Sequence, residues 1–534
     1  MLTSRKRIAV APAAEYESHR ALFDALSLGL AVQFEAYLPG QYEGLHGLIL
    51  QSSNRELVRE AAARNLSCYQ IHSAEPASLP RPAAIRFTSS TSIDPAFRKQ
   101  ELTDSSVVEF CHVPESSELL AEVDKKPVWG ITQENNCKSH HVGMELPAFG
   151  ANDFFHVHFR ASRWFAMLPL LHYLRHLLGP EGWPRPEPRA TFIIDDPNLH
   201  HRSYGYIDFE TLAKHATTHN YHATIATVPL DAWYFNSTVA ALFRNHRHRL
   251  SMMMHGVNHV AEELARNYTE DEAFALLAAG LRRIAAFEQR SGVKVARVMA
   301  APHGAFAEAI ADPMVRLGYE AGCVSVGSLV RWNPGKHWSP DLGLPMVQGL
   351  GRCAFPVFHR TSTNPTEVRL SAFLGHPVVI ATHHQDYVSD FAKIESLANM
   401  INEIASPHWM PIENISHTNY VSSVTGDVIR VTPYSRHVTI SVPRGVSVLQ
   451  LMPSPFGIGT TIDLSKPAPR PETSSGNTVG FQYNISQDVA EISFPPAEPV
   501  DYRKVDRPRA GLWPITRRLL AEGRDRLMSM LTFG

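Results

Sequence analysis

At 534 residues the chain is too long for one ordinary hydrophobic core, and 44% hydrophobic with 19% charged residues suits a folded globular protein, not a disordered one. A net charge of −2 supplies no global field to draw it onto nucleic acid, and no zinc-finger or RNA-binding signature is present. The five cysteines are scattered without CxxC spacing, which points to neither a disulfide framework nor a thiolate zinc site and favours a reducing compartment.

In chain order, the N-terminus has too short an apolar run for a signal peptide. No run reaches the roughly eighteen apolar residues a transmembrane helix needs, so a cytoplasmic protein is expected. Residues 1–160 alternate short apolar strands (RIAVAP, LHGLILQ, KPVWGI) with helical stretches, predicting a small α/β domain built on a parallel sheet. GxGxxG and P-loop patterns are absent, so nucleotide binding is unsupported there. Residues 161–189 read as a helix and a Pro-rich linker.

From residue 190 the alternation becomes regular. Strands are predicted at 190–196, 222–229, 250–256, 295–302, 321–327, parts of 344–358, and 377–383. The clearest helix between them spans 270–290, with apolar residues at 274, 277, 281, 284 and 287. Seven strands with intervening helices over 190–415 predict a (β/α)7-type barrel, in which chemistry collects at the C-terminal ends of strands. Asp195, His255, Pro302-His303 and His383-His384 all fall at such ends. Residues 416–500 turn to β-branched alternation and predict an antiparallel β-sandwich, with 464–477 as a loop. The tail, 501–534, carries eight Lys/Arg and four Asp/Glu and predicts a basic amphipathic helix. Such a helix either packs on its own protein or lies peripherally on an anionic membrane.

Two clusters carry the chemistry. Asp195-Asp196 ends one apolar strand, and His255-Gly-Val-Asn-His259 follows another about sixty residues later. A carboxylate and two imidazoles can hold one divalent ion and leave a position open for water, while the adjacent carboxylate accepts a proton. Metal-assisted hydrolysis follows from that combination. Bland alternatives stand beside it: an aspartate after a strand commonly caps a helix, and the histidines could be satisfied turn residues.

The order of motifs resembles the polysaccharide deacetylase (NodB-homology) superfamily as a divergent member. Thr191-Phe-Ile-Ile-Asp195-Asp196 resembles its first motif, and His255-Gly-Val-Asn-His259 its second, with Gly256 in place of the usual hydroxyl residue. Ala300-Ala-Pro302-His303-Gly304 resembles the third, and Ile380-Ala-Thr-His383-His384-Gln-Asp386 the last. The resemblance implies Asp195 as catalytic base and Asp196, His255 and His259 as ligands of one divalent ion, most simply Zn²⁺. The general acid would be His384 or His383; the nearness of Asp386 in sequence favours His384. The third motif's arginine is Ala300 here, so His303 or Arg360 would take its place beside Asp195, with Pro302 and Asp386 completing the substrate-binding set. The implied activity is removal of N-acetyl groups from an amino-sugar-containing glycan or glycan precursor. Alternatives are another metal-dependent hydrolase on the same barrel (a glycosidase or a non-sugar amidase) and a non-catalytic carbohydrate-binding scaffold.

Overall fold

The computed structural model describes residues 5–72, 81–108, 110–111, 113, 118–134, 137–455, 481–485, 487–508 and 513–533. The chain divides into two compact units: residues 1–185 with 337–345 and 372–374, and residues 186–336 with 346–371 and 375–534.

The first unit is built on one nine-stranded sheet: β1 (Lys6–Ala11), β2 (Val32–Ala36), β3 (Leu45–Gln51), β4 (Ser67–Ile71), β5 (Arg81–Phe87), β6 (Glu101–Val108), β7 (Glu118–Val123), β8 (Lys126–Glu134) and β9 (Cys137–Val142), in the order β2-β1-β3-β4-β9-β8-β7-β5-β6. Pairing is parallel from β2 to β9 and antiparallel beyond. The sheet is therefore mixed, where the sequence predicts a parallel one. The signal missed is a hairpin: β7 turns into β8 through Asp124 and Lys125, both at positive φ (51° and 63°). Two-residue turns of that hand usually advertise themselves with Asn-Gly or Asp-Gly, and this one does not.

The second unit holds β10 (Arg189–Asp195), the short hairpin β11 (Ser203–Tyr204) and β12 (Ile207–Asp208), β13 (Ala223–Thr227), β14 (Leu250–His255), β15 (Val295–Ala300), β16 (Ala321–Cys323), β17 (Val347–Leu350), β18 (Phe355–Phe358), β19 (Val378–Thr382) and β20 (His408–Trp409). Its main sheet curls in the order β18-β16-β15-β14-β13-β10-β19, seven strands all parallel, with β17 antiparallel on the β18 edge and β20 beside β10. Strands buried on both faces read as continuous apolar runs, which is why TFII, ATIAT and VARVMA stand out in the sequence. No ladder closes the curl among the described residues. A lone bridge, Thr361 to Ile380, ties the chain just after β18 to β19. Its bonds run from Thr361 N to Val379 O (2.8 Å) and from Ala381 N to Thr361 O (2.9 Å). The predicted barrel is thus a curled, incompletely laddered α/β sheet.

The helix Glu270–Ser291 follows its sequence pattern closely. Thr269 and Glu272 form a reciprocal capping box, Gly292 ends the helix at φ 67°, and Phe274, Leu277, Leu281, Ile284 and Phe287 are buried. Toward the C-terminus come β21 (Tyr420–Thr425), β22 (Val428–Pro433), β23 (His437–Ser441), β24 (Val448–Leu451), β25 (Phe481–Asn484) and β26 (Val489–Ser493). They form a four-stranded sheet, β21-β22-β24-β25, and a two-stranded one, β23-β26. Both contribute to one core containing Val431, Val438, Ile440, Leu449 and Ile492. All pairings are antiparallel except β22 with β24. The loop expected at 464–477 lies outside the described residues.

His222, just before β13, is fully buried, with Nδ1 3.1 Å from the His248 carbonyl and Nε2 2.8 Å from the Ser251 hydroxyl. Burial pushes its pKa down to about 4. Above the ordinary value of about 6.5 the ring is neutral in folded and unfolded chains alike. Between there and about 4 only the unfolded chain takes up a proton, so stability is lost as pH falls through this window. The loss from this one group approaches about 3 kcal/mol at the low end. Urea midpoints are expected to fall from pH 7 to pH 4.5, and a His222→Gln chain to show a shallower fall. Parallel pH dependences for the two chains would contradict this.

Candidate metal and catalytic site

β10 delivers Asp195 and β14 delivers His255 at strand ends on either side of β13 in the second unit. In the loops after β10, β14 and β15 the backbone turns left-handed at non-glycine residues, among them Asp196 (φ 86°), His259 (φ 56°) and His303 (φ 56°). Each such residue costs on the order of 1–3 kcal/mol, and such strain gathers where side chains must be aimed. Here it gathers Asp196, His255 and His259, whose potential ligand atoms all lie within 4.8 Å of one another. His259 Nε2 is 3.1 Å from Asp196 Oδ1.

His255 Nδ1 lies 3.1 Å from the Ala300 carbonyl, which can only accept, so the proton sits on Nδ1 and the Nε2 lone pair stays free. Burial pushes the His255 pKa down to about 4, keeping the ring neutral as a ligand must be. For Asp196, burial opposes ionisation, but the hydrogen bond from His259 and the positive charges around it, Arg518 included, hold its carboxyl well below the usual range.

Gly256 has a steric reason to depart from the motif's usual hydroxyl residue. It sits at φ 63°, and a Cβ there would lie 2.6 Å from Pro302 Cγ and 2.7 Å from Glu263 Oε2. Glu263, fully buried, organises the loop by accepting from three successive backbone N–H groups, those of Val257 (2.8 Å), Asn258 (2.7 Å) and His259 (3.1 Å). Sequence reading passed over Glu263. Its position four residues beyond the second histidine was the available signal, a carboxylate placed to cap the preceding turn.

Asp195 is buried, and Arg360 Nη1 donates to both its oxygens, at 3.0 and 2.9 Å. Arg360 thus stands where Ala300 leaves the third motif without its arginine. His383 Nε2 is 4.0 Å from Asp195 Oδ2, and its side chain is 57% exposed. A cavity of about 290 Å³ is lined by Asp195, Asp196, His255, His259, His303 and Arg360, with His383, Gly304, Val324, Ser325 and Ser328 completing the wall.

His384 does not line that cavity. It is buried against Tyr204 and Tyr206, 3.7 Å from the Asp525 carboxylate, under a hairpin whose Gly205 has no room for a Cβ. Of the two histidines offered as general acid, the structure places His383 on the cavity wall and His384 away from it. Asp386, whose nearness in sequence favoured His384, accepts from the His383 backbone N–H (3.0 Å) and pairs with Lys393 (2.5 Å), so it neither orients His384 nor lines the cavity. Pro302 packs behind Gly256 and does not line the cavity either. Two further groups among the described residues, His215–His219–Glu395 and Glu320–Glu413–His417, also bring potential ligand atoms together. Neither belongs to the cavity wall.

The least anticipated neighbour is the C-terminal helix, Trp513–Phe533. Arg518 Nη1 donates to Asp196 Oδ1 (3.1 Å) and Nη2 to the Asp196 carbonyl (3.2 Å). Arg517 Nη1 donates to the His259 carbonyl. Residues more than 250 positions from their partners leave no local pattern for sequence reading to find.

No family model matches this chain, and no curated protein matches it. Among solved structures, Agd3, a carbohydrate deacetylase, is similar over 92% of this chain and 98% of its own, at 8% identity and a TM-score of 0.49. A family 4 carbohydrate esterase from Streptomyces lividans, solved with acetate, is similar over 41% of this chain and 89% of its own (12% identity, TM-score 0.25). A putative polysaccharide deacetylase from Mycobacterium smegmatis is similar over 40% and 84% (13% identity, TM-score 0.29).

Proposed function

We propose that this cavity hydrolyses N-acetyl groups of an amino-sugar-containing glycan or glycan precursor, using a divalent ion held by Asp196, His255 and His259. The carrying observation is Asp195: a buried carboxylate paired with Arg360, on the same cavity wall as three convergent ligands. The donor set fits the ion. Two imidazoles and one carboxylate, with ligand atoms within 4.8 Å, suit zinc and leave an open coordination position.

Bound there, the ion would acidify a water and take up negative charge from the acetamido oxygen. The chain's own residues supply the rest. Arg360 holds Asp195 aimed at the cavity, so that its carboxylate accepts the proton of the attacking water. His383, on the cavity wall and partly open to solvent, is placed to give a proton to the departing amine. Incubating the zinc-loaded chain with N-acetylglucosamine oligomers is expected to release acetate. New reducing ends without acetate would point to a glycosidase, and tight oligomer binding with neither product to a scaffold.

No helix among the described residues is long and apolar enough to cross a membrane. The outward face of the C-terminal helix exposes Trp513, Leu519, Leu520 and Leu527, and Arg524 is exposed on the same helix. That face supports peripheral contact with an anionic membrane and, with it, a cytoplasmic, membrane-linked precursor as substrate. Unchanged membrane fractionation after deletion of residues 511–534 would remove this part of the reading.

A further inference from the structure

The C-terminal helix is amphipathic the wrong way round. A helix that merely packs turns its leucines inward and its charges out. This one exposes Trp513 (68%), Leu520 (66%) and Leu527 (59%), and turns Arg518, Glu522 and Asp525 toward the body of its unit. Several of its charged contacts among the described residues fall on the chain around the candidate metal centre. Glu522 accepts from Asn198 (2.9 Å) and faces His200, Asp525 accepts from Tyr204 (3.3 Å), and Arg526 reaches the Ser203 carbonyl (3.3 Å).

Two consecutive arginines go further. Arg518 grips Asp196 twice, at its carboxylate and at its main-chain carbonyl. Arg517 grips the main-chain carbonyl of His259. Asp196 and His259 are the two candidate ligands held in left-handed backbone conformations. The Arg518 fork is itself fixed by Asp231, at 3.0 and 2.5 Å. We propose that Arg517 and Arg518 are positioning residues of the metal centre, clamping the strained main chain of Asp196 and His259 so that both ligands stay aimed at the ion. The C-terminal helix is then an integral part of the centre.

The opposing reading is that Arg518 is a rival cation, and the two predict opposite signs. Partners that orient metal ligands typically change metal affinity by about 10–100-fold when removed. A competing cation would raise affinity on removal. Zinc affinity of the full-length chain, measured by competition with a chromophoric chelator, distinguishes them without reference to activity. Arg518→Met is expected to weaken zinc binding by about 10–100-fold. Arg518→Lys is expected to weaken it comparably, because a point ammonium cannot span carbonyl and carboxylate together. Glu522→Gln loosens an anchor of the helix while leaving both clamps, and is expected to hold affinity within a few-fold of wild type.

Zinc bound as tightly or more tightly by a folded Arg518→Met chain would overturn the proposal, as would full rescue by lysine. Should Arg518→Met fail to fold, Arg517→Met carries the same test on His259 alone. The inference rests on the metal reading of the site. A wild-type chain that binds no zinc would sink that reading itself, whereas equal binding by wild type and variants would sink only the positioning role.

Discussion

An Asp195→Asn chain is expected to keep its zinc and lose turnover by about 10²–10⁴-fold, the usual worth of a positioned general base. The amide fills the same volume and still accepts a hydrogen bond from Arg360, so the cavity wall survives the change. What disappears is the lone pair that takes the water's proton. Because Asp195 is not in the group of three convergent ligand atoms, metal content should not follow activity down. Single-turnover acetate release beside metal analysis reads both quantities. An Asn chain with near wild-type turnover would remove Asp195 from the chemistry, and one that had lost its zinc would make Asp195 a ligand.

Arg360→Met has the largest expected effect on stability. The Arg360 side chain is largely buried, 12% exposed, where burial disfavours its charge and Asp195 restores it. Removing it leaves a carboxylate that is 2% exposed with no cation against it. Breaking one partner from a buried pair typically costs about 3–5 kcal/mol, most of it the penalty on the charge left behind. The carboxylate also loses the guanidinium that aims it, so turnover is expected to fall together with stability. Urea unfolding and single-turnover acetate release of the same variant check both halves. A destabilised chain with unchanged turnover would mean that Arg360 braces the strand end without aiming Asp195.

The strand ends were legible in the sequence because strands buried on both faces announce themselves as apolar runs, and in such sheets chemistry follows at their C-terminal ends. That reading singled out Asp195, Asp196, His255 and His259, which the structure brings to one cavity wall, and it offered His303 or Arg360 for the arginine missing at Ala300, of which Arg360 is the one paired with Asp195. The choice between His383 and His384 could not be made locally. It depends on a 3-10 turn after β19, which leaves one ring on the cavity wall and tucks the other beneath Tyr204 and Tyr206. Glu263 was hidden for a different reason, since a carboxylate satisfied by backbone N–H groups looks like any surface acid in a sequence. The reach of Arg517 and Arg518 was invisible because their tail reads as an ordinary basic amphipathic helix until its charged face is seen turned inward. The mixed sheet of the first unit was misread as parallel because the Asp124-Lys125 turn lacks glycine.

The measurement closest to the central claim is metal content of the purified full-length chain beside a His255→Ala variant. His255 offers a free Nε2, is buried, and is neutral across the working pH range, so its removal takes one ligand and leaves a void no exposed residue can fill. The account predicts about one zinc per wild-type chain and a loss of zinc in the variant, with acetate release falling in step. Zinc retained in full by His255→Ala, or a wild-type chain that takes up none, would contradict it.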